Sequence, residues 1–227
     1  MQILRFDLDD RYDRKVAWLY SMFFEDHNFT NYFRFNFHQV SNGIYRSSQP
    51  TMKKLEELKN EYGIKTVINL KSENRKSAYF LFEEEKCREL GLKLINVNIR
   101  SREMPTTKEL LEYKRIMEEE MHNPTLIHCK AGADRTGIFC TLYQYFIEKR
   151  DISDTNQLRF LPFGHVKYSK AGRSDYYFEQ FAKYQKENPN IDLITWSKEV
   201  ADLKKMEEEF KVNFFASFLN EKILRRE

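Results

Sequence analysis

The chain has 227 residues, 32% of them charged and 41% apolar, with a formal net charge of +3. That balance suits one soluble globular domain with appendages, and it is too weakly basic to argue for nucleic acid as a partner. No apolar run approaches the ~18 residues of a membrane span, no secretory-type leader is evident, and the three cysteines show neither metal-ligand spacing nor a disulfide framework, so a reduced, cytoplasmic protein is expected.

Residues 11–37 are rich in aromatics, among them Trp18, Tyr20, Phe23, Phe24, Phe29, Tyr32 and Phe33. Val16-Ala17-Trp18-Leu19-Tyr20 followed by Met22-Phe23-Phe24 reads as an amphipathic helix packed on the rest of the chain. The other reading is an element in peripheral contact with a membrane surface, or a roof over the substrate. Phe37–Val40 and Ile44–Arg46 form an extended pair around the turn Ser41-Asn42-Gly43. A helix is expected from Thr51 to Tyr62, stopped by Gly63, then a buried strand over Thr66–Leu70. Ala78–Leu90 is helical up to Gly91, and Leu92–Asn98 is the next strand. Thr106 and Glu109 make a capping box for a helix reaching about Met121.

Thr125–His128 is a strand that feeds the most informative stretch, His128-Cys129-Lys130-Ala131-Gly132-Ala133-Asp134-Arg135-Thr136-Gly137. A cysteine and an arginine five residues apart, with small residues between them, can wrap one loop around one phosphate. A loop opening a helix directs several backbone N–H groups into one volume, where the helix dipole also favours negative charge. Gly132 and Gly137 allow the tight path. Arg135 can grip two phosphate oxygens at once, and the same field favours the thiolate of Cys129. Thr136 can donate its hydroxyl to the sulfur, and His128 is read as supporting the loop. Lys130, Ala131, Gly132, Ala133, Asp134 and Arg135 would together hold the phosphate.

Ile138, Phe139, Leu142, Tyr143, Tyr145, Phe146 and Ile147 make the following helix apolar almost all round, so it should be the buried helix that fixes the loop, with Cys140 in the core. A short helix is expected over Ser153–Phe160. The basic stretch with His165, Lys167, Lys170 and Arg173 can either reach the mouth of the site and hold a second phosphate, or form a solvated loop. The tail from Ile194 to Leu224 reads as a helix whose stripe Phe210, Phe214, Phe215, Phe218, Leu219 and Ile223 docks onto its own domain. Alternating strands and helices give an α/β fold: a central, mostly parallel sheet flanked by helices, with helical N- and C-terminal extensions. The expected division is 1–36 for the N-terminal extension, 37–190 for the catalytic domain and 191–227 for the C-terminal helix.

The run His-Cys-x5-Arg-Thr-Gly resembles the phosphate-binding loop of the protein tyrosine and dual-specificity phosphatase superfamily. Ile44-Tyr45-Arg46-Ser47-Ser48-Gln49-Pro50, Thr66-Val67-Ile68-Asn69-Leu70 and Phe163-Gly164-His165-Val166-Lys167 resemble a bacterial subgroup of it. The resemblance implies a metal-free, two-step reaction through a cysteinyl-phosphate, with Cys129 as nucleophile, Arg135 as phosphate clamp and Thr136 as partner of the leaving thiolate. Such enzymes carry an acid that protonates the departing oxygen, most often an aspartate on a loop before the signature strand. This chain departs from that pattern, because no aspartate lies between Asp26 and Asp134. The stretch Asn98-Ile99-Arg100-Ser101-Arg102-Glu103-Met104-Pro105 offers only Glu103. Asp134 resembles the residue assigned or proposed as acid in myotubularin-type lipid phosphatases and bacterial secreted phosphatases. It is preferred here over Glu103; its other reading is a brace for the loop.

The leading reading is a phosphomonoester hydrolase of the phosphotyrosine or dual-specificity type, a monomer acting on phosphorylated protein. Lys130 beside the nucleophile resembles the loop of a phosphoinositide 3-phosphatase, which keeps inositol phosphates and phosphoinositides open as substrates. A phosphate-binding adaptor without turnover is the alternative from another class, and sulfur transfer or arsenate reduction a weaker third.

Overall fold

The computed structural model describes residues 6–25 and 35–212. Phe29, Tyr32 and Phe33 of the aromatic segment, and the tail positions Phe214 to Ile223, lie outside these. The chain divides into two compact units, Met1–Ile99 with Glu120–Thr136, and Arg100–Glu119 with Gly137–Glu227. Among the described residues no helix is long and apolar enough to cross a membrane.

The first unit holds a five-stranded sheet of β1 (His38–Ser41), β2 (Ile44–Ser47), β3 (Thr66–Asn69), β4 (Lys93–Asn96) and β5 (Thr125–His128), in the order β1-β2-β5-β3-β4. Only β1 runs antiparallel, paired to β2 through the Asn42-Gly43 turn. The others are parallel, which the intervening helices require. β5 is therefore central, and its last residue, His128, pairs with Ser47 on one side and Asn69 on the other. All four β5 residues are buried, as its unbroken Thr-Leu-Ile-His run suggests.

Helices start and stop where their caps dictate. α1 (Arg11–Phe23) opens on Asp10, whose carboxylate accepts from the amides of Tyr12 and Asp13. Its Ala17 packs with Ala78 and Phe82, so the N-terminal helix rests on α3 (Ala78–Glu89). α2 (Met52–Tyr62) is capped by Thr51 and ends at Gly63, which takes φ 65°. Leu55 and Leu58 from α2 meet Val67, Cys87, Leu92 and Leu126 in a core on one face of the sheet. β3 is one residue and β4 three residues shorter than expected, since Leu70, Leu92, Val97 and Asn98 lie outside the ladder, Asn98 making only an isolated bridge with Lys71.

The second unit contains α4 (Thr107–Arg115), opened by the Thr106–Glu109 capping box and running on as a wider π turn over Ile116–Glu120, whose last residue belongs to the first unit. Gly137–Phe146 of α5 (Asp134–Phe146) also belong here, with Phe139, Cys140 and Leu142 wholly buried. α6 (Arg173–Glu187) and α7 (Leu193–Glu199) meet through Tyr177, Phe181 and Trp196.

Two expectations fail in this unit. Ser153–Phe160 is not a helix: only Ile152–Asp154 makes a 3-10 turn, because Asp151 caps Ser153 and Asn156 turns left-handed at φ 53°, which ends the winding. The tail is not one continuous helix either. It breaks after Glu199 and resumes over residues 203–212, started by Asp202, whose carboxylate accepts from the amides of Lys204 and Lys205. The resumed helix docks on α6. Arg173 makes a paired contact with Glu207 and lies 4.8 Å from the Phe210 ring centre, and Tyr176 donates to Glu209 at 2.7 Å.

Candidate active site

Between β5 and α5 the chain turns through Cys129–Ala133, and tethers from other parts of the first unit hold its carbonyl oxygens. The amide of Gln49 donates to Lys130 O at 3.0 Å, and Asn36 Nδ2 donates to Ala131 O at 2.9 Å. Arg46, wholly buried on β2, donates to Gly132 O at 2.8 Å and to Ala133 O at 3.3 Å. Before the loop, the Leu70 amide donates to His128 O at 2.9 Å. In a planar trans peptide the N–H points opposite to the C=O of the preceding residue. Four consecutive outward carbonyls therefore turn the amides of Ala131, Gly132, Ala133 and Asp134 toward the inside of the loop. Those of Ala131, Gly132 and Ala133 meet no acceptor among the described residues. A row of N–H groups without acceptors in a turn makes an anion nest.

Gly132 is required for this path. It takes φ 70°, and a Cβ there would lie 2.6 Å from the Ser47 carbonyl. Gly137 is tight for another reason: its Cβ would meet Leu158 at 2.6 Å.

The reactive candidates sit around this nest. Cys129 is buried at 5% exposure, a free thiol at the loop's start. Arg135 is half-buried, and no hydrogen bond or ion pair engages its guanidinium among the described residues. Thr136 is wholly buried, and its hydroxyl has no partner among them. Asp134 is half-buried in the first turn of α5. Lys130 and Ala131 are exposed, whereas Gly132 and Ala133 are buried. His128 is wholly buried, its Nε2 2.8 Å from Glu83 of α3 and its Nδ1 3.3 Å from the Cys129 carbonyl.

The remaining candidates belong to the second unit. Glu103 is exposed and ion-paired to Arg100, which also contacts Glu109 at 2.8 Å. Burial pushes the Glu109 carboxyl up, but hydrogen bonds from Thr106 and Arg100 hold it below its ordinary value. His165 is buried with Nε2 2.7 Å from Asp175, and Lys167 pairs with Glu179. Each of these side chains is thus held by a partner within its own unit.

Sequence reasoning missed the supporting groups Arg46, Asn36, Gln49 and Glu83. A charged residue inside the strand pattern Ile44-Tyr45-Arg46-Ser47 was the available signal for Arg46. For Glu83 it was the stripe Tyr79, Glu83, Cys87, four residues apart on the buried side of α3. Burial there also pushes the Tyr79 hydroxyl and the Cys87 thiol well up, with the Glu83 charge adding to both.

A family model described as "DSP-PTPase phosphatase fused to NAD+ Kinase" matches residues 27–187, well over half of the chain. No curated protein matches the sequence. Among solved structures, the fold is similar to a mutant form of Tk-PTP, with TM-score 0.51 and 19% identity over 69% of this chain and 97% of that one. Tk-PTP in its active form gives TM-score 0.50 and 18% identity over 66% and 97%. TpbA of P. aeruginosa gives 0.49 and 17% over 76% and 88%. At these identities the Tk-PTP likenesses speak for the fold, an α/β arrangement around a mostly parallel sheet.

Proposed function

We propose that this chain, which belongs to the dual-specificity-type protein tyrosine phosphatase family and is a phosphatase of that type, hydrolyses phosphomonoesters of proteins through a cysteinyl-phosphate on Cys129. The observation that carries the reading is the loop whose carbonyls at residues 130–133 are each tied by a donor, leaving, among the described residues, three amides without acceptors and the Arg135 guanidinium without a partner. Such a set of preorganised donors stabilises a tetrahedral or trigonal oxyanion without having to reorganise.

In the first step Cys129 Sγ attacks phosphorus in line, the ester P–O bond breaks, and the Asp134 carboxyl gives its proton to the departing oxygen. Arg135 and the amides of residues 131–134 spread the charge of the equatorial oxygens. In the second step water attacks the phosphorus, Asp134 takes its proton, and the sulfur leaves as thiolate with the Thr136 hydroxyl donating to it. Inorganic phosphate and the starting enzyme result. Asp134 is favoured over Glu103 because it adjoins the clamp, while Glu103 is occupied by Arg100. The catalytic part is taken as residues 37–190; His165 and Lys167, expected as holders of a second phosphate, are engaged by Asp175 and Glu179 and take no part in this reading.

A second reading, an inositol-phosphate or phosphoinositide substrate, is supported by Lys130, an exposed cation one residue from the nucleophile. The deciding experiment is phosphate release from phosphotyrosine and phosphoserine peptides, inositol phosphates and phosphoinositides, with Cys129→Ser as control. Turnover in wild type and none in Cys129→Ser is expected. Vanadate binding without any phosphate release would instead make the chain a phosphate-binding adaptor. A preference for inositol phosphates that Lys130→Met abolishes would establish the second reading.

A further inference from the structure

Within the second unit, four large apolar side chains stand exposed on one stretch: Phe160, Leu161, Val166 and Tyr168, at 65%, 77%, 45% and 72% exposure. They ride on two abutting turns. The Gly164 amide donates to Phe160 O at 2.6 Å and the His165 amide to Arg159 O at 3.1 Å, which closes the first turn. The Ser169 amide closes the second on Val166 O at 3.2 Å. Single exposed apolar residues are ordinary on a protein surface, but a group of them marks a contact.

The underside of the stretch is fixed. Between the exposed tips Phe163 and His165 turn inward and are buried, and His165 Nε2 lies 2.7 Å from Asp175 of α6. Below the second turn, Gly172 packs so closely that a Cβ there would collide with the Lys167 carbonyl. These anchors leave the tips facing outward.

Charge selects the occupant. Residues 155–174 contain Arg159, Lys167, Lys170 and Arg173 and no acidic residue. Lys167 and Arg173 are neutralised by Glu179 and Glu207. Arg159 donates to the uncharged amide oxygen of Asn156, and neither it nor the exposed Lys170 forms an ion pair among the described residues. Apolar tips between two uncompensated cations match a surface that is anionic outside and apolar beneath. A second copy of the same face would set these cations against their own kind.

We propose that the stretch 159–170 docks the protein on a membrane surface containing anionic phospholipids. Phe160, Leu161 and Tyr168 enter the boundary between headgroups and acyl chains, while Arg159 and Lys170 meet the headgroup anions. The inference goes beyond the phosphatase reading and uses none of its catalytic residues.

Sedimentation of the full chain with vesicles tests it. Wild type and Cys129→Ser should both bind vesicles of phosphatidylcholine mixed with phosphatidylserine, and bind phosphatidylcholine alone far less. Binding should fall at ~1 M salt, where charges are screened within about 3 Å. Leu161→Ser and Tyr168→Ser should each lower partitioning ~tenfold by removing apolar area. Lys170→Glu should lower it ~tenfold by turning attraction into repulsion. Lys198→Glu, which reverses an exposed cation on α7, should leave it in place. Melting temperatures show which variants are folded. Wild-type binding in folded Leu161→Ser and Tyr168→Ser, equal binding to both vesicle types, or equal losses in Lys170→Glu and Lys198→Glu overturns the proposal. No vesicle binding at all overturns it too and leaves the face to a protein partner. A dimer in sedimentation velocity that Leu161→Ser splits would assign the face to a second copy instead.

Discussion

The guanidinium of Arg46 sits 2.8 Å from the carbonyl oxygen of Gly132, eighty-six residues further along the chain, and both groups are buried. A strand residue thereby fixes the direction of a loop amide. Arg46→Met should remove charge-assisted hydrogen bonds of about 1.5–3 kcal/mol each and leave two carbonyls unsatisfied. We expect a marked loss of thermal stability and at least ~100-fold lower kcat/KM, equivalent to about 2.7 kcal/mol of transition-state stabilisation. Denaturant melts and phosphate release measure the two; a variant that melts earlier but keeps full kcat/KM would separate Arg46 from the loop.

Gly132 and Gly63 make a matched pair, since their φ values are 70° and 65°. A Cβ at 132 would strike the Ser47 carbonyl, whereas one at 63 meets nothing within 4 Å. Gly63→Ala should cost about 1–2 kcal/mol from the left-handed backbone alone and leave activity intact. Gly132→Ala should abolish vanadate binding and turnover. Equal activity in the two variants would show that the loop tolerates a shift away from Ser47.

The three thiols should differ in reactivity. Cys87 and Cys140 are at 1% and 0% exposure, and burial pushes the Cys87 thiol well up. Iodoacetate near neutral pH should therefore label Cys129 first, and vanadate should protect it. Peptide mapping after partial alkylation gives the order, and Cys87 labelled first would contradict it.

The acid can be located by leaving group. Asp134→Asn should lose about 10²–10⁴ in rate on an alkyl phosphate and far less on a nitrophenyl phosphate, whose oxygen leaves unprotonated. Glu103→Gln should change both little. The reverse pattern transfers the role to Glu103.

The Arg173–Glu207 pair predicts a pH effect. Its hydrogen bond from Arg173, helped by that residue's charge and opposed by burial, holds the Glu207 carboxyl below its ordinary value. A depressed carboxyl contributes stability that is present above its unfolded value, near ~4.3, and is lost as pH falls through the folded value. With Arg173 and Glu207 side chains at 13% and 31% exposure, Glu207→Gln should cost at most about 1 kcal/mol at pH 7. The difference between the two proteins should shrink in urea melts as pH falls below the ordinary carboxylate range, and vanish once Glu207 is protonated in the folded protein.

Much of this was legible from local pattern. The β-branched run before Cys129 marked β5, Thr51 and Gly63 marked the ends of α2, and Thr106 with Glu109 marked the start of α4. Local pattern failed where a single backbone turn overrode propensity, as at Asn156, or where a cap restarted a helix inside a charged run, as at Asp202. Within the site, the signature residues announced themselves by spacing. Asn36, Arg46 and Gln49 did not, because their partners lie far along the chain and only the sheet's strand order brings them together. Glu83 stands in a run of three glutamates that no pattern singled out, and it lies on the buried side with Tyr79 and Cys87.

Because separate stretches of backbone and side chain grip the carbonyls of residues 130–133, the shape of the turn is a property of its surroundings more than of its own letters. Grafting Cys129–Thr136 between another strand and helix would transplant a motif and leave its scaffolding behind. A portable version of this site would need the β2 edge and the residues that flank it as part of the same cassette.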